Sequence, residues 1–179
     1  PKLFEIIIKA KDESFMDNII LIGMPSCGKS TLGRILSKEL GYDFIDTDEV
    51  IIRLNGCPLR DILDARGVDG FVEVEEAAVC TVEADKTVIA TGGSVVYSEK
   101  AMTHLKSMGK VVYLCLSFEE MERRLGDLHA RGVAIAPGAT LQDLYDERVP
   151  LYEKYADITV NIRSGNSVRQ SLQHLMQQL

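Results

Sequence analysis

The stretch from residue 19 to residue 31 constrains this chain more than any other, because it joins an apolar run to a glycine-containing loop and a lysine. It reads Ile-Ile-Leu-Ile-Gly-Met-Pro-Ser-Cys-Gly-Lys-Ser-Thr. Gly23, Gly28, Lys29 and Ser30 stand at the spacing G-x-x-x-x-G-K-[ST], which is typical of a phosphate-binding loop between a buried strand and a helix. The loop N–H groups and the helix N-terminus then face one hollow that suits a polyphosphate.

The chemistry of this loop predicts a nucleoside triphosphate as ligand. Lys29 is expected to reach the β- and γ-phosphates, and the Ser30 hydroxyl is expected to bind the magnesium ion between them. The alternative is a glycine-rich turn with an incidental lysine. That alternative is weaker because the strand, the loop and the helix all fall where phosphate binding needs them.

Length and charge limit the remaining possibilities. A chain of 179 residues is long enough for one domain with a good core and too short for two. The formal net charge of −7 argues against a nucleic-acid surface and requires positive charge near a nucleotide to be concentrated locally. No apolar run approaches the ~18 residues of a membrane span. The four cysteines lack C-x-x-C spacing, so reduced thiols and a cytoplasmic location are expected.

Strand patterns alternate with helix patterns along the whole chain, which predicts a three-layer α/β fold: a five-stranded parallel sheet with helices on both faces. The predicted strands cover residues 19–22, 42–45, 87–90, 111–116 and 158–161. The predicted helices cover residues 29–40, 49–54, 58–85, 99–108, 118–126, 141–155 and 167–178. A break is expected near Gly67 and Gly70, and Pro150 should kink or interrupt its helix.

Two segments fall outside this regular pattern. Residues 128–140 are mostly small, with a single charged side chain, Arg131, and are predicted to form a mobile lid. Residues 1–17 do not fit the domain predicted for residues 18–179 and are interpreted as an N-terminal extension, whose nature as a tag, a linker or an extra strand stays open.

Carboxylates and glycines follow two of the predicted strands. Asp46 and Asp48 follow the strand at 42–45, and Gly92 and Gly93 follow the strand at 87–90. In an open parallel sheet the carboxyl ends of the strands form the ligand-binding edge, so both pairs are site candidates. The structural alternatives are a helix N-cap for the aspartates and a tight turn for the glycines.

Taken in order, these pieces resemble the shikimate kinases, a nucleoside-monophosphate-kinase-like branch of the phosphate-loop proteins. The resemblance runs from about Asn18 to the C-terminus. It rests on residues 23–31, 46–48, 56, 61–62, 71, 75, 91–93, 131, 148–152 and 156–157.

The resemblance implies a fold, a reaction and a set of site residues. The reaction is transfer of the γ-phosphate of ATP, with Mg²⁺, to a hydroxyl of shikimate, giving shikimate 3-phosphate in the chorismate pathway to aromatic amino acids. The implied catalytic residues are Lys29, Asp48, which orients the acceptor hydroxyl, and Arg131, which closes onto the transferring group. The implied nucleotide-binding residues are Gly23, Pro25, Ser26, Cys27, Gly28, Lys29, Ser30, Thr31, Arg124 and Arg131. The implied acceptor-binding residues are Asp48, Gly92, Gly93, Ser94 and Arg148, and the implied metal ligands are Ser30 and Asp46.

Specific contacts are also implied. Gly92 and Gly93 would turn backbone N–H groups toward the acceptor, Arg148 would pair with its carboxylate, and Arg124 would lie against the adenine.

The chain departs from the pattern of that family at four places. Ser26 and Ser94 stand where glycines are expected, and Gly132-Val133 follow Arg131 where proline and leucine are usual. Val72 replaces an arginine that grips the acceptor carboxylate and pairs with Glu75. A lost charge-assisted pair weakens binding by about 1.5–3 kcal/mol. Glu75 is therefore predicted to have another cation or to be exposed. The candidate replacement cations are Arg53, Arg60 and Arg66.

Val72 and Ser94 leave two other functions open. One is a kinase of the same kind for a different hydroxylated molecule, such as quinate or a polyol. The other is a non-catalytic paralogue that binds ATP. The expected partner is a small-molecule substrate, without nucleic acid or membrane, and the expected state is a monomer.

Overall fold

The computed structural model describes residues 18–125, 133–163 and 165–179. Their five strands form one parallel sheet in the order β2-β3-β1-β4-β5. The strands are β1 (Asn18–Ile22), β2 (Asp43–Asp46), β3 (Thr87–Ala90), β4 (Gly109–Cys115) and β5 (Ile158–Asn161). The predicted α/β class and five-stranded parallel sheet are confirmed. The predicted N-terminal extension lies outside the described residues.

Seven α-helices connect and cover these strands within the described ranges. They are α1 (Lys29–Leu40), α2 (Thr47–Asn55), α3 (Leu59–Val79), α4 (Glu99–Met108), α5 (Phe118–Leu125), α6 (Leu141–Tyr155) and α7 (Val168–Gln178). The central strand β1 is buried along its whole length. Because successive strand side chains point to opposite faces, its burial requires that both faces of the sheet be covered.

The two predicted helix breaks have different outcomes. At Gly67 the backbone adopts φ 67° and ψ −174°, so α3 is two helical pieces that meet at this glycine. The predicted interruption at Pro150 is wrong, because α6 continues through that residue. A proline inside a helix destabilises it by about 3 kcal/mol. The buried face of α6, which includes Leu144 and Tyr152, opposes that loss.

The topology brings the loops after β1, β2 and β3 to one edge of the sheet. β1 pairs in parallel with β3, and β3 pairs in parallel with β2, so the carboxyl ends of all three point the same way. The loops that follow are the predicted phosphate loop, the two aspartates and the two glycines. Residues distant in sequence are therefore gathered where open α/β sheets bind their ligands.

Two further findings concern the described residues as a whole. None of the helices they form combines the length and hydropathy that crossing a bilayer requires. Cys27, Cys57, Cys80 and Cys115 are all free thiols.

Candidate active site

The loop after β1 has the backbone geometry of an anion cradle. Gly23 has φ 145°, and a Cβ atom there would stand 2.7 Å from the Leu114 carbonyl oxygen. Gly28 has φ 103° and caps the N-terminus of α1. Ser26 has φ 63°, a left-handed conformation that non-glycine residues seldom adopt. The serine at this departure from the family pattern is therefore in a strained conformation, which disfavours a non-glycine residue by about 1–2 kcal/mol.

Lys29 places its ammonium group inside the loop. Its Nζ atom donates hydrogen bonds to the carbonyl oxygens of Gly23, at 2.7 Å, and Met24, at 2.9 Å. The side chain is buried, with 8% of its surface exposed. The charge is thus held among backbone carbonyl oxygens of the loop.

Ser30 and Asp46 form the second part of the cradle. The Ser30 hydroxyl donates to Oδ2 of Asp46 at 2.6 Å. Oδ1 of Asp46 accepts from the backbone N–H of Asp48 at 3.1 Å, which makes Asp46 the N-cap of α2. Asp46 therefore caps α2 and contacts Ser30 of the loop at the same time. Among the described residues no group of three or more His, Cys, Asp or Glu could hold a metal. A hydroxyl and one carboxylate fit Mg²⁺, which keeps several waters and binds phosphate oxygens.

Asp48 faces the same cavity as Lys29, a space of about 480 Å³. The pKa of Asp48 is raised from 3.8 to about 6, mainly by burial; the charges of Asp46 and Glu49 contribute to this rise, and Lys29 opposes it. A carboxylate with a pKa near neutrality is suited to accept a proton from a reacting group. Asp48 and Lys29 are separated in the sequence, and they face one cavity because β1 and β2 both pair in parallel with β3.

Gly92 and Gly93 are glycines because side chains crowd against their Cα atoms. A Cβ on Gly92 would overlap Oε1 of Glu75, and a Cβ on Gly93 would lie 3.0 Å from Nη1 of Arg148. The prediction that Gly92 turns its N–H toward the acceptor is wrong. That N–H donates to the Thr47 hydroxyl at 3.2 Å, because Thr47 at the start of α2 lies directly opposite.

Arg148 is the largest fully buried side chain of the described residues, with 1% exposure. Its Nε donates to the Tyr97 hydroxyl at 3.1 Å, and its Nη2 donates to the Ala134 carbonyl oxygen at 2.5 Å. Its guanidinium also lies 5.1 Å from the centre of the Tyr97 ring. Within the described part of the chain, no carboxylate lies within salt-bridge distance of it. A buried cation on the cavity wall that forms no ion pair with the described residues is a binding group for an anionic ligand.

Comparison with known proteins identifies the family of this chain. A family model described as shikimate kinase matches residues 25–179. The shikimate kinase of Paracidovorax citrulli (strain AAC00-1) is 38% identical over 167 residues, which cover 90% of this chain and 91% of that protein. The chain belongs to the shikimate kinase family. The shikimate kinase of Clostridium botulinum (strain 657 / Type Ba4) is 36% identical over 157 residues, covering 86% of this chain and 92% of that protein.

A solved structure of the family also matches in three dimensions. The shikimate kinase of Acinetobacter baumannii in complex with shikimate superposes with a TM-score of 0.79 and 31% sequence identity, and the match covers 95% of each chain. The family assignment therefore applies to the fold as well as to the sequence.

Within this shikimate kinase fold, the acceptor region differs from the prediction. Glu75 is buried, with 2% exposure, so the expectation that it is exposed is wrong. Its hydrogen-bond partner is the Ser94 hydroxyl, which donates to Oε2, and not a cation. The three candidate replacement arginines are exposed on α2 and α3 and do not line the cavity (Arg53, Arg60 and Arg66). None of the three forms an ion pair with Glu75 in the described structure.

The other predicted nucleotide-binding residues divide between the cavity wall and the layer behind it. Arg124 lines the cavity, and its Nε donates to Oε1 of Glu120 at 2.6 Å. Cys27 is a buried residue of the loop, and its Sγ lies 3.7 Å from Nζ of Lys29. Arg131 lies outside the described residues. The predicted residues that line the cavity are Pro25, Ser26, Gly28, Lys29, Ser30, Thr31, Asp48, Gly92, Gly93, Ser94, Arg124 and Arg148.

Several residues that shape the site were not predicted. Tyr97 and the Ala134 carbonyl hold Arg148, and Tyr152 donates from its hydroxyl to the Gly93 carbonyl oxygen at 2.6 Å. Thr47, which holds Gly92, could have been found from its position between the two aspartates. Tyr97 and Ala134 carry no pattern in the sequence, because their contacts depend on the packing of α6 against the loop after β3.

Proposed function

We propose that this chain transfers the γ-phosphoryl group of ATP to a hydroxyl of shikimate, giving shikimate 3-phosphate. The single observation that carries the proposal is that Lys29, Asp48 and Arg148 line one cavity. A phosphate-binding cation, a carboxylate that can accept a proton, and a cation for an acceptor carboxylate then act on one bound pair of substrates. The likeness to a family member solved in complex with shikimate supports this choice of acceptor.

The phosphate loop holds the nucleotide in this proposal. The backbone of residues 23–31 and the N-terminus of α1 surround the phosphates, and Lys29 exchanges its bonds with loop carbonyls for bonds with phosphate oxygens. Ser30 and Asp46 hold the magnesium ion, which neutralises phosphate charge when bound. We assign Arg124 to the adenine side and Arg131 to the transferring group.

Asp48 acts on the acceptor. Its carboxylate accepts a hydrogen bond from the reacting hydroxyl and so aligns that oxygen with the γ-phosphorus. As the new O–P bond forms, the bond from phosphorus to the β-phosphate oxygen breaks, ADP leaves, and the hydroxyl proton passes to the Asp48 carboxylate. Arg148 pairs with the acceptor carboxylate and fixes which hydroxyl is presented.

The free cysteines and the net charge indicate where the protein acts and which ligands it binds. We propose a cytoplasmic monomer that binds small molecules only. The four free cysteines suit a reducing compartment, and the negative net charge does not suit a nucleic-acid surface.

The test measures ADP release with a coupled assay over a panel of acceptors: shikimate, quinate and a neutral cyclic polyol. The proposal expects turnover with shikimate well above the background without acceptor. Turnover with the neutral polyol but not with shikimate would assign the chain to a different acceptor. ATP binding without turnover on any acceptor would make it a non-catalytic ATP-binding protein.

A further inference from the structure

Glu120 on α5 is a buried carboxylate that the proposed reaction does not use. Its side chain is only 4% exposed. It stands three residues before Arg123 and four residues before Arg124, and residues at these spacings lie on the same face of a helix. One buried carboxylate is therefore placed between two guanidinium groups.

Both arginines donate to the same oxygen of Glu120. Oε1 accepts from Nη2 of Arg123 and from Nε of Arg124, each at 2.6 Å. Oε2 accepts from Nε of Arg123 at 2.9 Å. Because a buried carboxylate is costly unless it is paired, these hydrogen bonds fix the Glu120 side chain and hold both guanidinium groups around it.

The two arginines have different surroundings. The Arg123 side chain is 67% exposed and the Arg124 side chain 26% exposed. Arg124 lines the cavity that Lys29 and Thr31 also line, and Arg123 is not among the described residues of its wall. The bond from Nε to Glu120 leaves the two Nη groups and the planar faces of the Arg124 guanidinium for a ligand. Glu120 therefore contacts the one arginine of the pair that belongs to the nucleotide side of the site.

We infer that Glu120 is a positioning residue for the nucleotide, because it holds the guanidinium of Arg124 at the cavity wall before ATP binds. The inference rests on the proposed function, which assigns Arg124 to the adenine side, and deepens it by naming the residue that orders this arginine. An arginine side chain loses rotamer freedom when a ligand immobilises it. Since Glu120 already restricts Arg124 in the free protein, less freedom is lost on binding and ATP binds more tightly.

The charge of Glu120 alone would have the opposite effect on nucleotide binding. The carboxylate and its two guanidinium partners carry a net charge of +1, and Glu120→Gln leaves both guanidinium charges uncompensated. Attraction by charge would then tighten the binding of ATP and of inorganic tripolyphosphate alike, and salt would screen the gain. Positioning predicts weaker binding of ATP, so the sign of the change separates the two effects.

Calorimetry of four proteins tests the inference: the wild type, Glu120→Gln, Arg124→Met and the double variant. Each is titrated with ATP and with tripolyphosphate, both in the presence of Mg²⁺. Glu120→Gln keeps the shape of the side chain and removes the charge that orients Arg124, so the Kd for ATP should rise about ten- to thirtyfold. The Kd for tripolyphosphate, which has no base to contact Arg124, should not rise. With Arg124→Met already present, Glu120→Gln should change the Kd for ATP less than about twofold.

Arg123→Met is the matched control, because it removes the other guanidinium from the same carboxylate and leaves Arg124 in place. Its Kd for ATP should stay within about twofold of the wild type. Circular dichroism checks that every variant is folded. If Glu120→Gln does not fold, Glu120→Asp replaces it: the charge stays, the carboxylate withdraws from Arg124 by one methylene, and the Kd for ATP should rise about three- to tenfold.

Four results would overturn the inference: tighter ATP binding by Glu120→Gln, an equal rise in the Kd for ATP and tripolyphosphate, additive effects of Glu120→Gln and Arg124→Met, or an equal loss of ATP affinity in Arg123→Met. None of these measurements needs an acceptor. Turnover of shikimate alongside any of them would leave the proposed function intact. ATP affinities that couple as expected, with no turnover of shikimate by the wild type, would instead refute the proposed function.

Discussion

Asp48→Asn should make the folded protein more stable while it stops the reaction. Asp48 is ionised at pH 7.5 in a site where burial and the charge of Asp46 oppose ionisation, and its pKa rises from 3.8 to about 6. That shift corresponds to about 3 kcal/mol of destabilisation by the charged form. Asparagine keeps the size and removes the charge, so the unfolding midpoint should rise by about 6–12 °C at pH 7.5.

The size of this stabilisation depends on pH in a defined way. A carboxyl group whose pKa is raised in the folded state destabilises the protein fully above the folded pKa, here about 6. The destabilisation fades between pH 6 and 3.8, and below 3.8 the group is neutral in both states. The gain from Asp48→Asn should therefore be largest above pH 6 and absent at pH 3.5.

Two measurements are needed on the same samples. Thermal unfolding at a series of pH values gives the stability, and coupled ADP release gives kcat, which should fall about 10²- to 10⁴-fold. The matched control is Asp43→Asn at the exposed start of β2, which should change stability by no more than about 0.5 kcal/mol. A destabilised Asp48→Asn protein would refute the desolvation of Asp48, and a protein that keeps the wild-type kcat would refute its role as proton acceptor.

Three further substitutions test other parts of the site. Lys29→Met should abolish ATP turnover and leave the circular dichroism spectrum unchanged, and persisting turnover would contradict the role of the loop. Arg148→Met should raise the KM for shikimate about ten- to a hundredfold with little effect on the KM for ATP; an equal rise in both would show that Arg148 acts on the fold rather than on the acceptor. Gly92→Ala places a methyl group on Glu75 Oε1, so turnover of shikimate should be lost while ATP binding, measured by calorimetry, is retained.

The sequence was sufficient to predict the fold and to place the loop of residues 23–31 at the cavity, because both depend on local patterns. The apolar run, the loop spacing and the helix that follows lie within 13 consecutive positions, 19–31. The aspartates and glycines could be placed because each pair directly follows a strand, and parallel strands end at one edge.

The acceptor side could not be predicted in the same way, since its contacts join distant segments. Glu75 meets Ser94 across 19 positions, and Arg148 meets Tyr97 across 51. The contact between the Gly92 N–H and the Thr47 hydroxyl joins residues 45 positions apart, so the sequence does not show it. The expectation that Pro150 interrupts α6 rests on local preference alone, and the buried face of the helix outweighs that preference.

The central claim is that a hydroxyl beside Asp48 receives the phosphoryl group from a nucleotide held by Lys29. The most direct test is phosphorus NMR of a reaction containing the protein, ATP, Mg²⁺ and shikimate. The claim predicts a new phosphate-ester resonance, coupled to a single carbinol proton of the acceptor, that grows in equal amount to ADP. ADP formed together with free inorganic phosphate and no ester would contradict it.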